Sequence, residues 1–193
     1  MQGYVSIDIE TTGIGDNAQI LQISAVYDDL KSPISELKTI DLPIKHEVLT
    51  HCEPYAMGMN AELLKKMMDK NFKTYRPYDA MVELISFLES CQELNEKGNR
   101  RKVVLAGKNV ASFDIPKLRS FLSTRGSLVD TFNNLIHYKT LDVGSLYFDV
   151  FKENVSLTEI NKLTNRAEVS HNALDDAFDV VHAVRHKLGV KYE

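Results

Sequence analysis

The order of strand-like and helix-like segments constrains this chain more than any other feature of its sequence. From Tyr4 to Ile9, apolar Val5, Ile7 and Ile9 alternate with Tyr4, Ser6 and Asp8, the two-residue period of a strand. Thr11-Thr12-Gly13 and Gly15-Asp16-Asn17 then read as a turn. Gln19 to Tyr27 reads as a second strand, and Ile34 to Leu42 as a third, closed by Pro43. Three consecutive strands joined by short turns predict an antiparallel meander.

Helices dominate the remainder. Asn60 is a suitable N-cap for a helix over Ala61 to Met68. Ala80 to Leu94 carries Met81, Leu84, Ile85, Leu88 and Cys91 at helical spacing, and Asn95 to Asn99 forms a polar break. Val103 to Ala106 has the unbroken apolar character of a buried strand. Pro116 to Thr124 predicts a short helix, with Arg125 near its C-terminus and Gly126 as its stop. A strand over Lys139 to Val143 and a helix from Gly144 to Phe151 follow. Ser156 and Glu159 form a capping-box pattern for a helix ending at Leu163. A last helix runs from Asn172 to Leu188 and stops at Gly189. Strands first, then strands mixed with helices, imply an α/β domain with a mixed sheet.

At 193 residues the chain is expected to form a single domain with a real core. Its apolar and charged fractions are those of a globular protein. The N-terminus lacks a signal-peptide pattern and no apolar run is long enough to span a bilayer. Cys52 and Cys91 are isolated, which fits a reducing, cytoplasmic setting. A net charge of −4 argues against a protein that coats nucleic acid, though not against a nuclease built on carboxylates. The basic runs Lys65-Lys66, Lys70 to Arg76 and Arg100-Arg101-Lys102 suit a solvated surface or phosphate steering.

Asp8 and Glu10 lie two apart at the end of the first strand, so their side chains share one face while Ile7 and Ile9 share the other. Like charges so placed repel unless a cation lies between them, and hard oxygen ligands suit Mg²⁺ or Mn²⁺. A bare Asp-x-Glu would also suit a solvated sheet edge. Here apolar neighbours surround the pair, and Gly13 follows, permitting a tight turn and close backbone approach. The run Ser6-Ile7-Asp8-Ile9-Glu10-Thr11-Thr12-Gly13 resembles the first motif of the DEDD exonucleases, the group that includes polymerase proofreading subunits. In that family the motif sits on the first strand of an RNase H-like fold, an α/β architecture with a mixed five-stranded sheet flanked by helices.

Two further segments resemble the family. Val103 to Ala106 leads into Gly107-Lys108-Asn109-Val110-Ala111-Ser112-Phe113-Asp114, similar to the second motif, with Asp114 matching its carboxylate. Many members have His at the position of Lys108. Asp114 also suits a helix cap. His171-Asn172-Ala173-Leu174-Asp175-Asp176-Ala177 resembles the third motif of the His (DEDDh, DnaQ-like) type, in which His precedes the last Asp by five residues. Ala173, Ala177, Val180, Val184 and Leu188 form the apolar stripe of this helix. Asp176 borders that stripe, while Asp175 and Asp179 point largely away from it. His171 precedes the helix, where a loop can bring it to the site.

The resemblance spans nearly the whole chain and implies a 3′→5′ exonuclease that releases nucleoside monophosphates from single-stranded DNA or RNA 3′ ends, DNA slightly favoured. It implies two divalent ions, Mg²⁺ or Mn²⁺, with Asp8 bridging them, Glu10 and Asp176 completing one site and Asp114 supporting the second. His171 is then the general base. The backbone around Thr11 and Thr12 would cradle the terminal nucleotide, and Phe113 is a candidate for base stacking or for the core. A free-standing enzyme is expected ahead of a polymerase-bound proofreading subunit, an oligoribonuclease or a silent nucleic-acid-binding scaffold. Nothing in the residues sets the oligomeric state.

Overall fold

The computed structural model describes residues 2–124, 126–166 and 172–190. The first strands are β1 (Tyr4–Thr11), β2 (Ile20–Asp28) and β3 (Lys38–Pro43). Helices α1 (Pro54–Met59), α2 (Ala61–Met67) and α3 (Pro77–Ser90) follow. Next come β4 (Leu105–Gly107), α4 (Asp114–Ser123), α5 (Ser127–Leu135) and β5 (Leu141–Asp142). The chain continues with α6 (Val143–Leu146), α7 (Phe148–Phe151), α8 (Leu157–Leu163) and α9 (Ala173–Leu188). The sheet order is β3-β2-β1-β4-β5, antiparallel through β1–β2–β3 and parallel from β1 to β4 and β5. This is the mixed five-stranded sheet expected.

Each face of the sheet holds its own apolar cluster. Val5, Ile7 and Ile9 of β1 point to α3, α4 and α5, where they meet Leu84, Leu88, Leu118 and Phe132. The opposite face, with Tyr4, Val26 and Ala106, packs on Val143, Ile160, Ala177, Val181 and Val184. Burying each such aliphatic side chain contributes about 1.5–3 kcal/mol. Helix α9 is secured at both ends. Asn172 accepts from the Leu174 and Asp175 N–H groups, and Gly189 takes the left-handed φ of 66° that ends the helix. In its last turns Arg185 makes a two-pronged bond to Asp28 at 2.6 and 3.0 Å, with the Tyr4 hydroxyl also donating to that carboxylate. Both charged side chains are buried, so each requires the other.

Several expectations need correction. Ile34–Glu36 is a 3-10 turn following Pro33, because Ile34 and Leu37, three apart, both pack on the α9-side cluster; the strand begins only at Lys38. The helix expected from Gly144 is two short pieces broken at Tyr147. That ring is buried, with its hydroxyl bonded to the Ala183 carbonyl and His186 Nδ1. The strand expected over Lys139 to Val143 shrinks to two residues, since Asp142 caps α6 by accepting from the Ser145 N–H. Helix α3 starts a turn early, at Pro77, which needs no N–H partner at a first turn. Helices α1 and α5 were not anticipated. The first buries no side chain fully, and the second begins immediately after the Gly126 that signals a stop. The capping box of Ser156 and Glu159 is present as expected.

Candidate active site

The site lies at the C-terminal end of β1. There the β1–β2 register shifts, Glu10 facing Gln22 but Thr11 facing Ile20, so Leu21 is an extra residue on β2. Such bulges re-aim neighbouring side chains. With the isoleucines turned to the α3 side, Asp8 and Glu10 share the face covered by α9. Asp176, in the first turn of α9, meets them there: Asp8, Glu10 and Asp176 each offer an oxygen within 4.8 Å of the other two. Asp114, the first residue of α4, is 3% exposed and close enough to raise the proton affinity of Asp8. Its carboxyl does not cap α4. The backbone N–H groups of Asp114 itself and of Ile9 favour its charged form, which places the α4 start beside β1.

This crowding shows in the electrostatics. Burial, then the charges of Asp114, Asp176 and Glu10, hold the Asp8 carboxyl well above the ordinary carboxylate range. Burial lifts Glu10 to about 7, opposed by the neighbouring Asn60 amide, which favours its charged form. Asp114 is also lifted to about 7, mainly by burial and further by the charge on Glu10, while backbone N–H groups oppose the rise. Four carboxylates so placed cannot all ionise at neutral pH without positive charge among them. The donors are all hard oxygens, a set that fits Mg²⁺ or Mn²⁺. The acidic cluster can bind a divalent metal.

The turn beside the carboxylates is built with equal care. The Thr12 hydroxyl accepts from the Gln19 N–H and lies near the Thr50 and His51 carbonyls. The Thr11 hydroxyl donates to the Gly13 carbonyl. Both threonines are buried and shape the turn with their own hydroxyls. Glu53 accepts from the Ile14 and Gly15 N–H groups at 2.9 and 3.1 Å, while its own N–H donates to the Thr12 carbonyl. A Cβ on Gly13 would fall 2.4 Å from the Glu53 carboxylate, so any larger residue would push that side chain off the turn. Buried Lys117, one turn past Asp114, donates to the Gly15 carbonyl from beneath.

Asp8, Glu10, Asp114 and Asp176 therefore converge, and Thr11 and Thr12 border them. Phe113 is half-buried against the α3-side core, with the Lys117 ammonium 5.8 Å from its ring centre. His171, and the expected place of Arg125 at the end of α4, lie outside the described residues. Asp175 is exposed as expected, but Asp179 is not turned away from the protein. It is buried, accepting from Asn161 Nδ2 at 2.6 Å and paired with Arg166 at 2.7 Å, because α8 covers that side of α9. Lys108 bonds to Asn109 and Asn154 at the end of β4. Asn60, Glu53 and Lys117 were not read from the sequence as site residues. Asn60 stands at the N-cap position of α2 without capping it, its amide donating instead to the Thr11 and Ala56 carbonyls. Only Lys117 carried a signal, the i+3 spacing from Asp114 that places both on one helix face.

No protein-family model matches the chain, and no curated protein is detectably similar to it in sequence. Solved structures do match its fold. The zinc-bound form of Escherichia coli exonuclease I with single-stranded DNA superposes with a TM-score of 0.69 at 12% identity, covering 96% of this chain and 41% of that one. The E. coli enzyme in complex with a dA16 oligonucleotide gives 0.70 at 11% identity, over 98% and 42%. Exonuclease I from Methylocaldum szegediense gives 0.65 at 14%, over 96% and 41%. The chain is thus an α/β protein with the RNase H-like fold of these neighbours, and spans about two fifths of their length. Among the described residues no helix is long and apolar enough to cross a membrane.

Proposed function

We propose that this protein is a metal-dependent 3′→5′ exonuclease of the His-type DEDD group, acting on single-stranded ends with DNA slightly favoured over RNA. One observation carries the reading: carboxylates from β1, α4 and α9, distant in sequence, converge at one end of the sheet and cannot share that space uncompensated. The fold shared with exonuclease I, solved there with single-stranded DNA, supports the substrate class.

In this reading Asp8, Glu10 and Asp176 hold one divalent ion, and Asp8 and Asp114 the other. When bound, such ions lower the pKa of an attacking water and stabilise the departing 3′ oxygen. The Asn60 amide beside Glu10 favours the charged form that a metal needs. The Gly13–Gly15 turn, held by Glu53 and Lys117, frames the terminal nucleotide. His171, five residues before Asp176, takes the proton from the attacking water, a task that suits histidine because the reference pKa of imidazole lies near neutrality.

The test is digestion of 5′-labelled single-stranded DNA and RNA with Mg²⁺ or Mn²⁺. A ladder shortening from the 3′ end, lost with EDTA and in Asp8→Ala, is expected. His171→Ala should abolish most turnover yet keep metal binding. Hydrolysis that persists in Asp8→Ala, or absence of cleavage by folded, metal-loaded protein, would overturn the assignment.

A further inference from the structure

At the opposite end of the sheet the chain turns from acidic to basic. A hollow of about 560 Å³ is lined by Lys102, Arg119, Asn133, Ile136, His137 and Tyr138, with no acidic side chain among them. It sits where Val103 bridges to Ile136 in parallel fashion, two residues before Leu105, the partner of Val5. Asp8 and Glu10 are three and five residues beyond Val5, so the hollow lies roughly 20 Å from the carboxylates at about 3.3 Å per strand residue.

Its construction is specific. Asn133 ties two cations to the floor: Arg119 Nε donates to its side chain at 2.8 Å, and Lys102 Nζ to its carbonyl at 3.2 Å. Tyr138 is 84% exposed, yet it is not loose. It stacks on His137 with ring centres 4.6 Å apart and planes 26° from parallel. The Lys139 ammonium stands 5.7 Å from its centre. His137 is fixed in turn, its Nδ1 accepting from the Lys139 N–H and its own N–H donating to the Val103 carbonyl. Among the described residues none of Lys102, Arg119 and Lys139 is in an ion pair.

We propose that this hollow is a second binding site for single-stranded nucleic acid, in which a base stacks on Tyr138 while Lys102, Arg119 and Lys139 take adjacent phosphates. A pre-stacked, exposed aromatic ring flanked by cations offers the two contacts such strands use, base stacking and backbone charge. On a chain of net charge −4, a lining without carboxylates is the complement of a polyanion. The occupant is the same class of polymer as the proposed substrate, and to that extent the inference rests on that reading. Its role is to anchor a strand remote from the end being cut.

The test is fluorescence anisotropy with a labelled oligothymidylate of about twenty nucleotides, in EDTA, using the Asp8→Asn chain as parent. Neither metal binding nor hydrolysis enters, so failure of the nuclease reading and failure of this one are separable. Tyr138→Ala should raise Kd about tenfold, and Tyr138→Trp should restore it. Lys102→Gln with Lys139→Gln should reduce the slope of log K against log salt by about 1.4, two phosphate contacts on a single strand. Kd within about twofold of the parent in both variants, with melting temperatures unchanged, would overturn the proposal. Polyglutamate binding as tightly as the oligonucleotide, with the same dependence on Tyr138, would also overturn it and mark a surface for an acidic protein.

Discussion

Glu10→Gln should stabilise the metal-free protein and remove most of its response to metal. The Glu10 carboxyl titrates at about 7 in the fold, against 4.5 as its ordinary value. That difference of about 2.5 pH units corresponds to roughly 3 kcal/mol against the charged form. The folded state binds the extra proton, so the Glu10 contribution to metal-free stability is fully present below about pH 4.5 and is lost as pH rises through about 7. Asp114, lifted from 3.8 to about 7, adds loss of the same sign. Glutamine keeps the shape of the side chain but carries no charge. Above neutrality and in EDTA the variant should gain about 2–3 kcal/mol, a melting temperature higher by roughly 4–10 °C for a chain of this size. Near pH 4.5 the two proteins should melt together. Excess Mg²⁺ or Mn²⁺ should raise the wild-type melting temperature, most above neutrality, and the variant's far less. Thermal melts across pH, with and without metal, read all of this. A variant that melts below wild type in EDTA at pH 8, or that keeps the full metal-induced rise, would refute the argument.

Asn60→Ala should weaken metal binding roughly 10–100-fold by removing the amide that favours charged Glu10, with calorimetric titration of Mn²⁺ as the readout. Gly13→Ala should displace Glu53 and loosen the turn, raising KM for oligonucleotide more than it lowers kcat; adding Glu53→Ala should recover part of the KM change. Arg185→Met leaves buried Asp28 without its partner and should cost about 3–5 kcal/mol in denaturant unfolding. The pair Asp28→Asn with Arg185→Met should regain much of that loss.

The sequence made the centre of the molecule legible because strand alternation and carboxylate spacing are local. Asp8 and Glu10 share a face through the two-residue period alone, and Asp176 falls at the edge of the α9 stripe through the helical one. What escaped depends on contacts between distant segments. Asn60 reads as a cap until the Thr11 carbonyl is seen beside it. Glu53 has no pattern of its own, and its role appears only when residues 13–15 fold back onto it. Asp179 reads as solvated on the helix wheel because a wheel for α9 knows nothing of α8, which supplies Asn161 to cover it. Tyr147 breaks an expected helix for the sake of a hydroxyl bond to Ala183, thirty-six residues away.

Anomalous diffraction from crystals grown with Mn²⁺ and a nucleoside 5′-monophosphate bears most directly on the central claim, that these four carboxylates form a two-metal centre. The account predicts two peaks, one among Asp8, Glu10 and Asp176 and one between Asp8 and Asp114, about 3.5–4 Å apart. It also predicts that both disappear in Asp8→Asn. No peak at the end of β1, or full occupancy there in Asp8→Asn, would contradict it.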